Sequence, residues 1–303
     1  MVKLTRRQFA NLPVAALAAG AASLTLPAFA QPVSSPFTRS IPSTGEPLPP
    51  VGLGTAAVFD TADANTLQNA RAVVRALIDN GGKLIDTAST YGDAERILGD
   101  VIGPASLRAK LFIATKLESP NVEELKRSLN RLQTAKLDLL QLHNVRNPRQ
   151  SLGAFRDWKA QGVSRYIGIT STSHGAFAAV EAILRGEKPD FVQIDYSIDD
   201  REAEQRILPL AAEVKAGVLT ALPFGRGRLF RAVRDRPLPD WARGFAGSWA
   251  QFFLKYLLGD LRVTAVIPGT AEAAHMTDNL GAMRGALPDP DQRRQMVQFI
   301  ETL

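Results

Sequence analysis

The stretch Val73-Val74-Arg75-Ala76-Leu77-Ile78-Asp79-Asn80-Gly81-Gly82-Lys83-Leu84-Ile85-Asp86 contains one full structural unit. Val73, Val74, Leu77 and Ile78 recur at helical spacing, Gly81-Gly82 stop that helix, and a short apolar run follows. The same unit recurs in both directions. Apolar runs lie at Val51–Thr55, Lys83–Asp86, Leu111–Lys116, Leu137–His143, Arg165–Thr170, Phe191–Asp195, Gly217–Pro223 and Val263–Pro268. Helical segments separate them at Thr66–Asn80, Asp93–Val101, Val122–Leu132, Arg149–Ala160, Gly175–Arg185, Ala203–Lys215 and Gly247–Leu258. Strands that are apolar throughout have both faces covered, and their alternation with helices predicts a parallel sheet. No Gly-x-Gly-x-x-Gly follows any of them, which argues against a doubly wound dinucleotide fold. Eight units predict an α/β fold, a (β/α)8 TIM barrel forming a single domain over 51–303.

The first thirty residues read as an address. Thr5-Arg6-Arg7-Gln8-Phe9 is followed by an alanine-rich apolar run and by Ala28-Phe29-Ala30. Basic region, apolar region and small-residue cleavage site make a secretory signal, and the paired arginines mark the twin-arginine variety. The expectation is therefore a signal peptide at 1–30, the Tat translocase as a partner and a periplasmic location. Pro13, Gly20, Pro27 and many alanines weaken the run as a span, so no stable membrane insertion is expected. Removing the leader leaves about 270 residues, close to the ~250 of one barrel. Six prolines between 31 and 50 read as a linker.

Charge and cysteine content exclude several functions. The formal charge is +6; three of the 36 basic residues and no acidic residue lie in the first thirty, which leaves +3 for the remainder. That charge is too diffuse for nucleic acid. The absence of cysteine rules out disulfides, thiolate metal sites and a cysteine nucleophile, and it suits an oxidising compartment.

In such a barrel, chemistry gathers at the C-terminal strand ends. One run ends in Asp86 with Tyr91 five residues on, the next ends in Lys116, and the next in His143. Separately, Asp86 can satisfy a turn, Lys116 can be a solvated strand end, Tyr91 a rim aromatic and His143 a structural histidine. Together they fit carbonyl reduction. A phenol with a pKa near ~10 is a reluctant acid. Lys116 beside it is expected to lower that pKa, Asp86 to keep Lys116 charged, and His143 to donate a hydrogen bond to the carbonyl oxygen. No His/Asp/Glu group has metal-ligand spacing, so no metal is expected.

These residues resemble the aldo-keto reductases over nearly all of 51–303. The match is carried by Gly52-Leu53-Gly54-Thr55, Asp86-Thr87-Ala88 with Tyr91-Gly92, Thr115-Lys116, Leu139–His143, Ile167-Gly168-Ile169-Thr170, Gln193-Ile194-Asp195-Tyr196 and Ile267-Pro268-Gly269-Thr270. The resemblance implies a small-molecule carbonyl substrate and NADP(H) as cofactor, with NAD(H) as the alternative. It places Gly54 and Thr55 in the cofactor site. Thr170, Ser171 and Gln193 hold the nicotinamide carboxamide, Ser171 standing where the family has asparagine. It puts Phe224, Gly225, Arg226 and Gly227 at the pyrophosphate, and Thr270, His275 and Asn279 at the adenosine end. The family's stacking aromatic falls on Ala221, and its cations for the 2′-phosphate fall on Gly269 and His275. His174 reads as a loop or helix-start residue.

Two other readings remain open at this point: a nucleotide-binding redox sensor or subunit with little turnover, and a Schiff-base lyase using Lys116 as nucleophile. The pocket aromatics are expected to be Trp241, Phe245 and Trp249, over a wide mouth.

Overall fold

The computed structural model describes residues 35–303 apart from 104 and 146. The signal-peptide reading of 1–30 lies outside the described residues. Among those described, no helix is long and apolar enough to cross a membrane.

Two short strands, β1 (Arg39–Ser40) and β2 (Pro47–Leu48), form an antiparallel hairpin. Eight parallel strands follow: β3 (Leu53–Gly54), β4 (Leu84–Asp86), β5 (Phe112–Leu117), β6 (Leu137–Leu142), β7 (Ser164–Ser171), β8 (Phe191–Asp195), β9 (Gly217–Ala221) and β10 (Ala265–Val266). Each pairs with its neighbour in chain order, and the first and last also meet. Gly52 N–H donates to Val266 O at 2.9 Å, and Gly54 N–H to Pro268 O at 3.0 Å, which closes the barrel. Gly54 is required there, because a Cβ on it would stand 2.8 Å from the Ile267 carbonyl oxygen. All eight expected strands and the closed (β/α)8 barrel are present.

The helices are α1 (Ala64–Asp79), α2 (Ala94–Ile102), α3 (Ala105–Arg108), α4 (Val122–Arg131), α5 (Pro148–Ala160), α6 (Phe177–Glu187), α7 (Glu202–Glu213), α8 (Arg228–Ala232), α9 (Trp249–Leu258), α10 (Ala273–Leu280) and α11 (Pro290–Glu301). Side-chain caps set several boundaries. Asp63 accepts from Thr66 N–H, Asn121 from the amides of Glu123 and Glu124, and Ser248 from Gln251 N–H. Ser248 starts α9 two residues later than periodicity alone predicts.

Alternation along the strands sorts side chains into two cores. Ile85, Ile113, Leu140, Ile169, Val192 and Val218 face outward and pack with the helices. Leu84, Phe112, Ala114, Leu139, Tyr166, Phe191 and Leu219 face the lumen. The described part of the expected linker corrects that expectation. Ile41 and Leu48 of the hairpin are buried with the lumen residues. Glu46 accepts from the Tyr166 hydroxyl at 2.6 Å and pairs with Arg165. Prolines keep the hairpin to two residues per strand, and an open barrel end supplies the apolar surface it covers.

Ile41→Ala is therefore expected to cost about 2–5 kcal/mol, as for a core truncation. Urea unfolding checks this; an unchanged midpoint would return the segment to a linker.

Candidate active site

Lumen-facing parity builds the site. On β5, Phe112 and Ala114 face inward, and Lys116 continues that row at the C-terminal end. Asp86 ends β4 in the same way, and Gln141 and Gln193 occupy the matching level on β6 and β8. The Lys116 amine donates to Asp86 Oδ2 at 2.5 Å and to Thr87 O at 2.7 Å. The amides of Gln141 and Gln193 donate to Asp86 at 3.1 and 3.2 Å. Tyr91, in the loop after β4, sets its ring centroid 4.8 Å from Lys116 Nζ and 5.8 Å from the His143 ring. All four expected catalytic side chains thus line one cavity of about 660 Å³ at the C-terminal mouth.

Electrostatics modify two of the expected roles. Burial works against the Lys116 ammonium, but Asp86 and Tyr91 outweigh it and raise its pKa, so the lysine stays charged. Burial also raises the Tyr91 phenol above its ordinary value, and the nearby Lys116 charge offsets only part of that. The expectation of a lowered phenol pKa is corrected, because desolvation exceeds the ammonium's attraction. His143 is held below the ordinary histidine value by burial and by Lys116, with Glu118 pulling the other way. Its Nδ1 lies 2.6 Å from Glu118 Oε1. A carboxylate only accepts, so Nδ1 carries the hydrogen, and the neutral ring is left with a bare Nε2. His143 can donate toward the cavity only when doubly protonated.

Glu118 is the functional residue that the sequence reading missed. It lies two residues past Lys116, on the same parity, which was the signal available. Asn144, Thr172 and Phe230 also line the cavity without having been expected.

The cofactor residues divide between two cavities. Gly54, Thr55, Thr170, Gln193, Phe224, Arg226 and Gly227 line the first. Thr270, His275 and Asn279 line a second of about 370 Å³, which shares Phe224, Phe230 and Gly269 with the first. Gln193 fits a carboxamide: its amide nitrogen is spent on Asp86, and its buried Oε1 has no protein partner. Ser171 does not line either cavity. Its hydroxyl accepts from Ser173 N–H at 3.2 Å, and Thr172 takes the place at the wall. Gly225 and Gly227 also need correction. Their amides donate to Leu222 O and Phe224 O within the turn, so they shape it with φ of 54° and 80°. Arg228 pairs with Asp199, and Arg226 lines the cavity.

The expected pocket aromatics are corrected as well. Trp241 packs on Phe245, Phe252 and Phe299, and Phe245 is buried against Phe252. Of the three, Trp249 lines the second of these two cavities, and Trp241 and Phe245 line neither. Phe224 and Phe230, whose centroids are 4.8 Å apart, line the first cavity together with Ala221.

Among the described residues, His174, Asp195 and Asp200 bring potential ligand atoms within 4.8 Å of one another. Both His174 nitrogens are already held, by Asp200 at 3.1 Å and Glu202 at 3.0 Å. Burial, with Asp200 beside it, pushes the Asp195 carboxyl up to about 6. His174 opens the helical turn before α6, as expected.

Residues 50–298 match the model of the Aldo/keto reductase family. The chain is 28% identical over 248 residues to methylglyoxal reductase YeaE of Escherichia coli (strain K12), covering 78% of this chain and 86% of that one. It is 31% identical over 206 residues to aldo-keto reductase YhdN of Bacillus subtilis (strain 168), covering 61% and 60%. An aldo/keto reductase from Klebsiella pneumoniae, solved in complex with NADP and acetate, superposes with a TM-score of 0.75 at 25% identity, over 87% of this chain and 95% of that one. The chain belongs to the aldo/keto reductase family of NAD(P)H-dependent oxidoreductases.

Proposed function

We propose that this protein reduces an aldehyde or ketone to the alcohol with NADPH, with Tyr91 as the acid. The observation that carries the proposal is a buried ammonium, locked by Asp86 at 2.5 Å, beneath a phenol that faces an open cavity.

A reduced nicotinamide, when bound, supplies the hydride. Gln193 Oε1 and Thr170 would hold its carboxamide, and Arg226 would offer a cation to the pyrophosphate. Tyr91, raised by burial, keeps its proton through neutral pH and is available to give it to the oxygen of the reacting carbonyl. As the proton leaves, the phenolate forms beside the Lys116 ammonium, where low polarity strengthens the attraction. Asp86 prevents Lys116 from losing its own proton instead, and Gln141 and Gln193 fix Asp86. His143 orients the carbonyl only when its ring is charged, because the neutral ring turns a bare Nε2 to the cavity. A Schiff-base lyase needs a neutral amine, and the ion pair with Asp86 weighs against it. A binding protein with little turnover is separated from an enzyme by loss of the reduced-nicotinamide absorbance on mixing with an aldehyde panel.

We further propose export by the twin-arginine route to the periplasm, supported by Arg6-Arg7 ahead of the apolar run and Ala28-Phe29-Ala30. Replacing both Arg6 and Arg7 with lysine is expected to leave the protein in the cytoplasmic fraction; unchanged export would remove this reading.

Tyr91→Phe is expected to lower kcat roughly 10²- to 10⁴-fold while leaving NADPH affinity within about twofold. Lys116→Met should silence turnover similarly and also destabilise the fold by about 3–5 kcal/mol, because Asp86 is left buried without its cation. Aldehyde reduction at the wild-type rate by either variant refutes the assigned chemistry.

Glu118 generates a pH test. The charged His143 ring exists below its pKa, which lies under the ordinary value of about 6.5. Wild-type kcat/KM should therefore rise roughly two- to tenfold as pH falls through that range. Glu118→Gln can donate to Nδ1 instead, moving the hydrogen of the neutral ring to Nε2, and its profile should be flat there. Identical profiles would end the assigned tautomer.

A further inference from the structure

We infer that this chain does not select for the 2′-phosphate, so that NADH and NADPH bind it with closely similar affinity. The inference rests on the dinucleotide reading above and deepens it.

The two cavities adjoin, with Phe224, Phe230 and Gly269 in the walls of both. A dinucleotide with its carboxamide on Gln193 and its pyrophosphate near Arg226 must run its adenosine end into the second cavity. Phe230 and Trp249 give that cavity apolar walls suited to a base. The groups a 2′-phosphate would meet are the wrong ones. Among the described residues, no lysine or arginine lines it. Asp278 is in the wall, held by Gln251 Nε2 at 2.7 Å. The Thr270 hydroxyl accepts from Glu272 N–H at 3.1 Å and turns its own hydrogen to Glu272 O at 3.4 Å.

His275 is the one lining side chain that can carry positive charge, and it is poorly placed to recognise a phosphate. It is 66% exposed, so water screens it, and its Nδ1 lies 3.7 Å from the Glu272 carboxylate. An imidazole lacks the two-pronged donor geometry by which a guanidinium grips a phosphate. Attraction to His275 is therefore set against repulsion from Glu272 and Asp278, and little net preference survives. A ribose hydroxyl is neutral and is not repelled by those acids, and Asn279 supplies an amide at the same wall.

Titrating the purified protein with each reduced nucleotide, and following quenching of tryptophan fluorescence, tests this without turnover. NADPH should bind no more than about fivefold tighter than NADH, where a cation paired with the phosphate would give roughly ten- to a hundredfold. His275→Arg should raise NADPH affinity by about tenfold and leave NADH unchanged. A wild-type preference for NADPH above about thirtyfold overturns the inference while leaving the dinucleotide reading intact. A His275→Arg variant with an unchanged ratio overturns the placement of the adenosine end. Failure of both nucleotides to bind would remove the dinucleotide reading, and this inference with it.

Discussion

The buried ion pair between Asp86 and Lys116 governs the rest of the site. Both side chains are nearly inaccessible, and either one alone in the lumen would be a desolvated charge. Such a pair is tolerated only where further hydrogen bonds complete it. Gln141 and Gln193 provide those bonds, so one polar cluster draws on β4, β5, β6 and β8. The cost of placing charge in a barrel is offset by tying four strands at one level. The chemistry uses the same cluster, since a lysine that cannot lose its proton is a permanent positive charge beside Tyr91.

The lumen is divided along its axis for a related reason. Its lower part is apolar and closely packed: Phe112, Tyr166 and Phe191 lie 5.5–6.2 Å apart, and Ile41 and Leu48 close the floor from below. Water is thereby kept from the ion pair on one side. The upper part is polar and open, and reactants have to enter there. The hairpin thus contributes to the electrostatics of a site it does not touch, by keeping the medium beneath it dry.

Burial also explains why Tyr91 and His143 depart from the simplest expectation. Lys116 sits beside both, but desolvation is the largest influence on each. The result is a phenol that holds its proton and an imidazole that resists a second one. Glu118 then decides which nitrogen of His143 carries hydrogen. Phe224 and Phe230, from the turn after β9 and from α8, line the same cavity as the small Ala221.

The sequence by itself determined the eight strands, their order and the level at which chemistry would gather. A strand covered on both faces must be apolar, and a polar residue at its C-terminal end stands out against that run; Asp86, Lys116 and His143 were legible for this reason. The hairpin was not, because two-residue strands among prolines show no period, and Ile41 and Leu48 look like scattered apolar residues until an open barrel end is there to receive them. Trp241 and Phe245 show the same limit, since an aromatic side chain packs equally well in a core or a cavity wall. Only the tertiary structure brought Glu118 to His143 and spent the amides of Gly225 and Gly227 inside their own turn. Those are contacts between side chains distant along the chain, or between a backbone and its own fold, and their energies depend on distance and solvent exclusion that residue spacing does not encode.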